Sequence, residues 1–326
     1  MEPSPLNLIT DVPGIEVGNA EDLHLQTGVT VVTGPGRMIA GAHVMGGAPG
    51  TRETELLSPE MVVNGVDALV LSGGSAFGLG AADGVSQGLR DAGAGLVVHG
   101  HTIPIVPTAI VFDLTTGAQD WRDPPWRNLG AQALANRSRH FELGSRGAGT
   151  GATTADLKGG LGSASAMIDQ ITVGAVVVVN AIGSVVAGGG PHFWAAPFEE
   201  NGEFGGLGVA AAGRDWTATK TEQAMGATLI AVVATDMVLS KAQAKRLAIM
   251  SHDGIARAVV PSHTPFDGDI VFAASTGAID VPDSDVALIR VGHTAATCLA
   301  RAIARAVYSA TPAKGDPKPT WRARFG

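Results

Sequence analysis

The chain changes character abruptly at residue 228. Residues 188–226 are rich in Gly and other small side chains, and residues 228–236 are an apolar, β-branched run that predicts a buried strand. Roughly forty residues without clear periodicity exceed an ordinary connection in a compact domain, so this stretch is expected to be a linker or a processing region. Thr228 stands at the boundary. If the chain were cut before it, its hydroxyl and its own amine would supply a nucleophile and a base in one residue.

The composition indicates a well-buried globular protein of one large domain or two small ones. Of 326 residues, 45% are hydrophobic and 16% are charged, which allows a substantial core and leaves surface for subunit interfaces. The net charge is −8, and no cluster of Lys and Arg forms a phosphate-binding surface, so nucleic acid is not an expected partner. The basic, Pro-rich tail at residues 314–324 is interpreted as a solvated terminus or an interface strap.

Nothing in the sequence predicts secretion or a membrane span. The N-terminal segment has no basic region followed by an apolar one, and apolar runs such as residues 171–180 are too short to cross a bilayer. The protein is therefore expected to be cytoplasmic. The single cysteine, Cys298, lies in an apolar helical pattern and is expected to be buried and unreactive.

Strand and helix patterns predict one α+β domain over residues 1–326. A hairpin is expected at residues 28–44, where two apolar runs flank a Gly-Pro-Gly turn. Further strands are predicted at residues 66–71, 96–99, 171–180, 184–187, 228–235 and 268–274. Helices are predicted at residues 78–92, 129–137, 240–258 and 285–308, with Ser240 as the N-cap of the third. Paired strands with long helices outside indicate an αββα four-layer sandwich, in which helices cover both faces of a sheet core.

Polar residues at the ends of apolar segments are the candidates for chemistry. Asp267 and Asp269 flank a glycine where a strand begins, so both carboxylates can reach one site, although Asp-Gly is also a common turn. Asn180 ends an apolar run, and an amide at a strand end can donate to an oxyanion. Lys158 lies beside a glycine-rich loop and needs a partner if it is buried. Each of these residues, like Thr228, also has a purely structural interpretation.

Two other features carry weaker signals. The turn at residues 72–78 could present backbone N–H groups to an anion, but it matches neither a phosphate loop nor a nucleophile elbow, so a close-packed structural turn is favoured. His99 and His101 alternate along a predicted strand, yet no third ligand stands at a metal-binding spacing. His263 precedes a turn and is expected to form structural hydrogen bonds. No metal or cofactor is expected.

Five segments spread over nearly the whole chain form one pattern: residues 8–18, 46–54, 71–79, 157–165, and the run from 228–236 to 267–269. In these segments the chain resembles the family of autoprocessed aminopeptidases and amidases that includes L-aminopeptidase D-amidase/esterase, β-peptidyl aminopeptidases and the 6-aminohexanoate-oligomer hydrolase. Members of that family are similar to N-terminal nucleophile hydrolases. Their precursor cuts itself before a Ser or Thr, and the two resulting chains stay associated.

The resemblance implies that Thr228 is the nucleophile and that the bond between Ala227 and Thr228 is the cleavage site. The products would be an α chain of residues 1–227 and a β chain of residues 228–326. The expected substrate is a small peptide or an oligoamide, and the expected assembly is a homo-oligomer, a tetramer of αβ units. The resemblance assigns further catalytic roles to Lys158, Asn180, Asp267 and Asp269.

The chain departs from the family pattern at two positions, and two alternative functions stay open. Ala227 occupies a position where the family usually has Asn or Gly, and Phe112 stands where some members have Tyr. An acyltransferase similar to ornithine acetyltransferase would use the same self-exposed threonine with an amine acceptor instead of water. The alternative from a different class is an uncleaved, non-catalytic scaffold or binding protein, which the Ala227 departure favours.

Overall fold

The computed structural model describes residues 4–211, 219–220 and 226–326, and in these ranges the chain forms twelve strands and five α-helices. The strands are β1 (Glu16–Asp22), β2 (Thr27–Thr33), β3 (Ile39–Val44), β4 (Thr51–Arg52), β5 (Leu69–Ser72), β6 (Leu96–Val98), β7 (His101–Ile103), β8 (Thr108–Ile110), β9 (Gly160–Ile168), β10 (Ile171–Asn180), β11 (Thr228–Met237) and β12 (Ile270–Ile279). The helices are α1 (Ala81–Asp91), α2 (Trp126–Ala135), α3 (Lys241–Ala258), α4 (Ser284–Tyr308) and α5 (Trp321–Phe325).

One five-stranded sheet carries the strand that begins at Thr228. Its order is β3-β12-β11-β10-β9, with β11 antiparallel to β10 and parallel to β12. Every residue of β10 and β11 is buried. Successive side chains of a strand point to opposite faces, so a strand covered on both faces needs no polar alternation. This explains why both strands read as continuous apolar runs.

Hydrophobic clusters cover both faces of this sheet. Odd-numbered positions of β11 from 229 to 233 pack in a cluster with side chains of α3 and α4, whereas even-numbered positions from 230 to 234 pack with side chains of the second sheet. The second sheet has the order β1-β2-β5-β8-β4. A third cluster joins β2 and β5 to α1 and α2. Thr228 has an even number, so its side chain belongs to the face between the two sheets.

The predicted hairpin at residues 28–44 is wrong. β2 pairs with β1 and β5, whereas β3 lies in the other sheet beside β12. The Gly-Pro-Gly turn therefore carries the chain from one sheet to the other. Turn chemistry favoured a local pairing, but β1, a strand that was not predicted, pairs with all seven residues of β2. The predicted strand at residues 184–187 is also wrong, because Ser184 and Val186 form isolated bridges to Val260 and Phe193.

The C-terminal third follows the predicted pattern closely. α3 begins after Ser240, whose hydroxyl accepts a hydrogen bond from the backbone N–H of Gln243 as an N-cap. α4 covers the whole of the last predicted helix. Within the described ranges, α4 is the one helix long and apolar enough to cross a membrane, and most of it is buried against β9 and β10. Cys298 lies in α4 and is buried as expected, and burial raises the pKa of its thiol to about 12.

Residues 310–326, here named the C-terminal strap, lie against residues from the first two-thirds of the chain. Asp316 pairs with Lys158, and the backbone N–H of Lys158 donates to the carbonyl of Pro319 at 2.8 Å. The indole of Trp321 donates to the carbonyl of Pro191 at 3.0 Å. The strap therefore packs in part on its own chain, with Lys314 exposed, and a role at a subunit interface stays a prediction.

Candidate active site

Thr228 is the first residue of β11 and lies opposite Asn180 in the register with β10. The residue is 4% exposed, on the face between the two sheets. Its hydroxyl donates a hydrogen bond of 2.5 Å to the carbonyl oxygen of Ala227. The nucleophile candidate therefore lies beside the peptide group that immediately precedes it.

The carbonyl oxygen of Ala227 accepts a second hydrogen bond, from the backbone N–H of Gly268 at 2.9 Å. Residue 268 has no room for a side chain, because a Cβ there would lie 2.7 Å from Thr228 Oγ1 and 2.8 Å from the carbonyl oxygen of Ala48. The absence of a side chain thus lets the Gly268 backbone lie against the Thr228 hydroxyl while its N–H donates to the Ala227 carbonyl. The Gly268 N–H is a fixed backbone donor on the carbonyl oxygen beside the hydroxyl, which is the arrangement that stabilises an oxyanion developing there.

Asp269 is buried at the start of β12 and is hydrogen-bonded through both of its oxygens. Oδ1 accepts from the backbone N–H of Leu229 at 2.8 Å. Oδ2 accepts from the backbone N–H of His263 at 3.2 Å and lies 2.8 Å from Nδ1 of that ring. The carboxylate therefore holds the residue that follows Thr228, and His263 holds the carboxylate.

Asp267 is the second buried carboxylate of this strand end. It accepts hydrogen bonds from the backbone N–H groups of Thr264, at 2.8 Å, and Ile182, at 3.4 Å. Burial raises the pKa of the Asp267 carboxyl, and the charge of Asp269 raises it further. Two buried carboxylates with different hydrogen-bond partners therefore lie close together at this strand end.

The Asn180 amide links three segments around Thr228. Its Nδ2 donates to the carbonyl oxygens of Phe112, at 2.9 Å, and Gly226, at 3.0 Å, while Oδ1 accepts from the backbone N–H of Thr153 at 3.0 Å. Asn180 therefore fixes the residue before Ala227, whereas the donor to the Ala227 carbonyl itself is Gly268.

A lysine that the sequence did not single out lies beside Asn180. Lys220 donates from Nζ to the side-chain oxygen of Asn180 at 3.1 Å and to its backbone oxygen at 3.3 Å. Its backbone N–H donates to the carbonyl of Ile182 at 3.1 Å. Burial lowers the pKa of the Lys220 amine to about 7, and the charge of Asp267 opposes that effect.

Lys158, the lysine that the sequence did single out, has a different partner. It is 2% exposed, and its Nζ lies 2.7 and 2.8 Å from the two carboxylate oxygens of Asp316 in the C-terminal strap. The need of a buried lysine for a counter-charge is thus met by the strap. A direct role of Lys158 at Thr228 stays a prediction.

The turn at residues 72–78 is occupied internally, as a structural turn should be. The backbone N–H of Gly74 and the hydroxyl of Thr27 both donate to the carboxylate of Asp113 at 2.7 Å. Burial raises the pKa of Asp113 to about 6, and these two hydrogen bonds oppose that effect. The anion at this turn is therefore a side chain of the protein.

The two alternating histidines do not lie on one continuous strand. β6 ends at Val98 and β7 begins at His101, so His99 lies in the turn between the two strands and not in a continuous strand. Across the part of the chain that the structure describes, no three His, Cys, Asp or Glu side chains converge on a point where a metal could bind.

Sequence reasoning missed two residues of this site, for different reasons. Gly268 acts through its backbone, and its only signal was its place between two singled-out aspartates. Lys220 lies in the Gly-rich stretch, which has no periodicity to place it. His263 was expected to form structural hydrogen bonds, and its backbone N–H donates one to Asp269.

Comparison with known proteins decides the family. The model of peptidase family S58 matches residues 7–320. The chain belongs to peptidase family S58. An uncharacterized aminopeptidase of Mycobacterium tuberculosis is 42% identical over an alignment of 345 positions, which covers 98% of each chain. The 6-aminohexanoate-oligomer endohydrolase of Kocuria sp. is 28% identical over 289 residues, covering 83% of this chain and 76% of that protein.

Solved structures show the same fold at low sequence identity. The Burkholderia sp. beta-aminopeptidase has a TM-score of 0.70 at 22% identity, covering 98% of this chain and 91% of that one. The L-aminopeptidase D-Ala-esterase/amidase of Ochrobactrum anthropi, described as a new variant of the N-terminal nucleophile hydrolase fold, has a TM-score of 0.72 at 22% identity over 97% and 89% of the two chains. This S58 peptidase thus has an α+β fold of that class and is a peptide or amide hydrolase.

Proposed function

We propose that this S58 peptidase is a self-cleaving N-terminal nucleophile hydrolase, and that Thr228 is the nucleophile both of self-cleavage and of substrate hydrolysis. The observation that carries the proposal is the pair of contacts on the carbonyl oxygen of Ala227, from the Thr228 hydroxyl at 2.5 Å and from the Gly268 N–H at 2.9 Å. A nucleophile and an oxyanion donor then act on the same peptide group, at the start of a buried strand.

Self-cleavage proceeds by an N-to-O acyl shift. Thr228 Oγ1 adds to the carbonyl carbon of Ala227, the bond from that carbon to the Thr228 nitrogen breaks, and the hydroxyl proton ends on the nitrogen. Water then adds to the resulting ester and releases the Ala227 carboxylate and the Thr228 hydroxyl. The products are an α chain of residues 1–227 and a β chain of residues 228–326, which together keep the single domain of the uncut chain.

Substrate hydrolysis uses the amine that this cut creates. A free α-amine has a pKa of about 7.7–8.0, so the Thr228 amine can accept its own hydroxyl proton near neutral pH. Asp269 orients the start of β11 through the Leu229 N–H, and Asp267 adds a second carboxylate at the same strand end. The acyl group of the substrate is carried on Thr228 Oγ1 and then released by water.

The oxyanion of the substrate is stabilised by Gly268 and Asn180. Once the Ala227–Thr228 bond is cut, Gly226 lies near a chain end and can leave the Asn180 amide, which then donates to the substrate. One such donor contributes about 2.7–4 kcal/mol to transition-state stabilisation. Lys158 contributes by fixing the C-terminal strap through Asp316.

The substrate class follows from the bond that this site attacks. A small peptide and a 6-aminohexanoate oligomer share a secondary amide, and relatives named for aminopeptidase and oligomer hydrolase activity support either one. We further infer that the three hydrophobic clusters separate the layers of an αββα four-layer sandwich. The low charged fraction of the chain, 16%, supports a further proposal, that αβ units assemble into a homo-oligomer, a tetramer of αβ units.

Intact mass spectrometry with N-terminal sequencing tests the proposal. The purified protein should yield two fragments, the smaller one beginning Thr-Leu-Ile-Ala, and Thr228→Ala should remain one chain without amidase activity. Adding an amine acceptor to the assay separates hydrolysis from acyl transfer, because an acyltransferase would form the acylated amine. Cleavage of T228A at the same bond would sink the assignment.

A further inference from the structure

Self-cleavage must work without the base that the mature enzyme uses. In the uncut chain the Thr228 nitrogen is part of a peptide bond, and an amide nitrogen has no basic lone pair to accept the hydroxyl proton. The Thr228 nitrogen therefore cannot be the base for self-cleavage, and the geometry of the Ala227–Thr228 bond depends on contacts within the uncut chain. Lys220 lies on the α-chain side of that bond and contacts its surroundings directly.

Three hydrogen bonds hold Lys220 in place. Its backbone N–H donates to the Ile182 carbonyl, and its amine donates to both oxygens of Asn180. The N–H of the same Ile182 residue donates to Asp267. The Lys220 amine is therefore tied to β10, with the Asp267 carboxylate as the nearby opposite charge.

The contact with Asn180 reaches the bond to be cut. The Asn180 side-chain oxygen receives the Lys220 amine at 3.1 Å, and Nδ2 of the same amide donates to the Gly226 carbonyl at 3.0 Å. A cation on the amide oxygen polarises the amide and strengthens its N–H donor. Gly226 precedes Ala227, so an amide held firmly on Gly226 limits the rotation of the peptide that Thr228 attacks.

We propose that Lys220 is a positioning residue for self-cleavage: it holds the Asn180 amide on Gly226 in the uncut chain and so aligns the Ala227 carbonyl with the Thr228 hydroxyl. The inference rests on the proposed function. Lys220 is not one of the reacting groups and acts through Asn180. It is distinct from Lys158, whose amine is bound by the strap.

The charges around Lys220 set the pH dependence of this effect. Burial lowers the pKa of its amine to about 7, the charge of Lys318 also lowers it, and the charge of Asp267, which lies near Asp269, raises it. The ammonium form is present below pH 7 and is lost as the pH rises through about 7. The contribution of Lys220 to the cleavage rate should decline over the same range.

The test is the rate of self-cleavage, followed by intact mass after synthesis of the full chain. Lys220→Met should slow cleavage at least about tenfold, the effect expected from one hydrogen bond to a charged group. Lys220→Arg should restore most of the rate and stay charged at all pH values. The ratio of the wild-type rate to the K220R rate should therefore fall as the pH rises through about 7.

Two further lysine variants sharpen the test. Lys318→Met removes a positive charge that faces Lys220, so the fall in that ratio should move to higher pH. Lys314→Met removes an exposed lysine of the same strap and should change nothing. Thermal melts of K220M in a T228A background check that the fold is intact.

The results distinguish a failure of the Lys220 role from a failure of self-cleavage at Thr228. A wild-type chain that never cuts overturns both. A wild-type chain that cuts while K220M cuts equally fast, or a wild-type to K220R ratio that is constant across pH, overturns the role of Lys220 alone.

Discussion

Replacing Gly268 with alanine should impair self-cleavage far more than it impairs folding. A Cβ at this position would lie 2.7 Å from Thr228 Oγ1 and 2.8 Å from the Ala48 carbonyl oxygen, closer than such atoms approach in proteins. Ala48 cannot move away freely, because its N–H is bound to the Asp267 carbonyl at 2.8 Å. The strand end or the hydroxyl must therefore shift. Either movement breaks the alignment between Thr228, the Gly268 N–H and the Ala227 carbonyl.

Two separate magnitudes follow for Gly268→Ala. Loss of one backbone donor to an oxyanion costs about 10²–10³-fold in rate, or about 2.7–4 kcal/mol in the barrier. Overpacking by one methyl group costs about 1–3 kcal/mol of stability. A folded protein that cuts at least about a hundredfold more slowly than wild type is therefore expected.

The assay is a time course of intact mass, paired with thermal melts of each variant in a T228A background so that one uncut chain is compared. Gly36→Ala is the matched control, because a Cβ at Gly36 meets no atom within 4 Å. It should cut at the wild-type rate. A G268A protein that melts like its parent and cuts at the wild-type rate would refute the assigned role of the Gly268 N–H.

Three further outcomes are expected. Thr228→Ser should still cut, because the hydroxyl is kept, and a T228S protein that stays intact would argue against simple hydroxyl attack. Lys158→Met should destabilise the fold by about 3–5 kcal/mol, measured by urea unfolding in a T228A background, because it leaves the Asp316 carboxylate unpaired. Combining K158M with Asp316→Leu should recover much of that loss. A K158M protein of unchanged stability would contradict the buried pair. Burial raises the pKa of Asp113 from 3.8 to about 6. Between these pH values the folded state keeps the proton that the unfolded state loses. The free energy of unfolding should therefore fall as the pH rises from about 4 to about 6. At 1.36 kcal/mol per pKa unit, wild type should lose about 3 kcal/mol of unfolding free energy relative to Asp113→Asn over this range. If the difference in unfolding free energy between wild type and D113N is constant with pH, Asp113 is not the cause.

The strands and helices that the sequence predicted well are those whose environment is uniform along their length. β10 and β11 are buried on both faces, so their apolar runs could be recognised without knowing their partners. α3 and α4 carry long apolar patterns, and Ser240 marks where α3 begins. The hairpin at residues 28–44 failed because turn residues report local backbone conformation and not which sheet each strand joins.

The site residues divide in the same way. Asn180, Asp267 and Asp269 stand at strand ends, where a polar residue after an apolar run is visible in the sequence. Gly268 and Lys220 were invisible, because one acts through its backbone and the other reaches Asn180 from a segment without periodicity. Their roles depend on contacts with Ala227 and Asn180, which form only when the chain has folded.

The order of strands around β11 affects whether the cut protein can refold. β11 and β12 of the proposed β chain lie between β10 and β3, which belong to the proposed α chain. Cutting the Ala227–Thr228 bond therefore leaves a sheet formed by two polypeptides, in which the adjacent β-chain strands β12 and β11 are bordered on both sides by α-chain strands. The uncut chain finds this register by closing loops, whereas two separated chains would have to find it by collision. Once unfolded, the cut enzyme would be two separate chains and would refold less readily than the uncut chain. Its lifetime would therefore depend on how slowly it unfolds and not on its ability to refold.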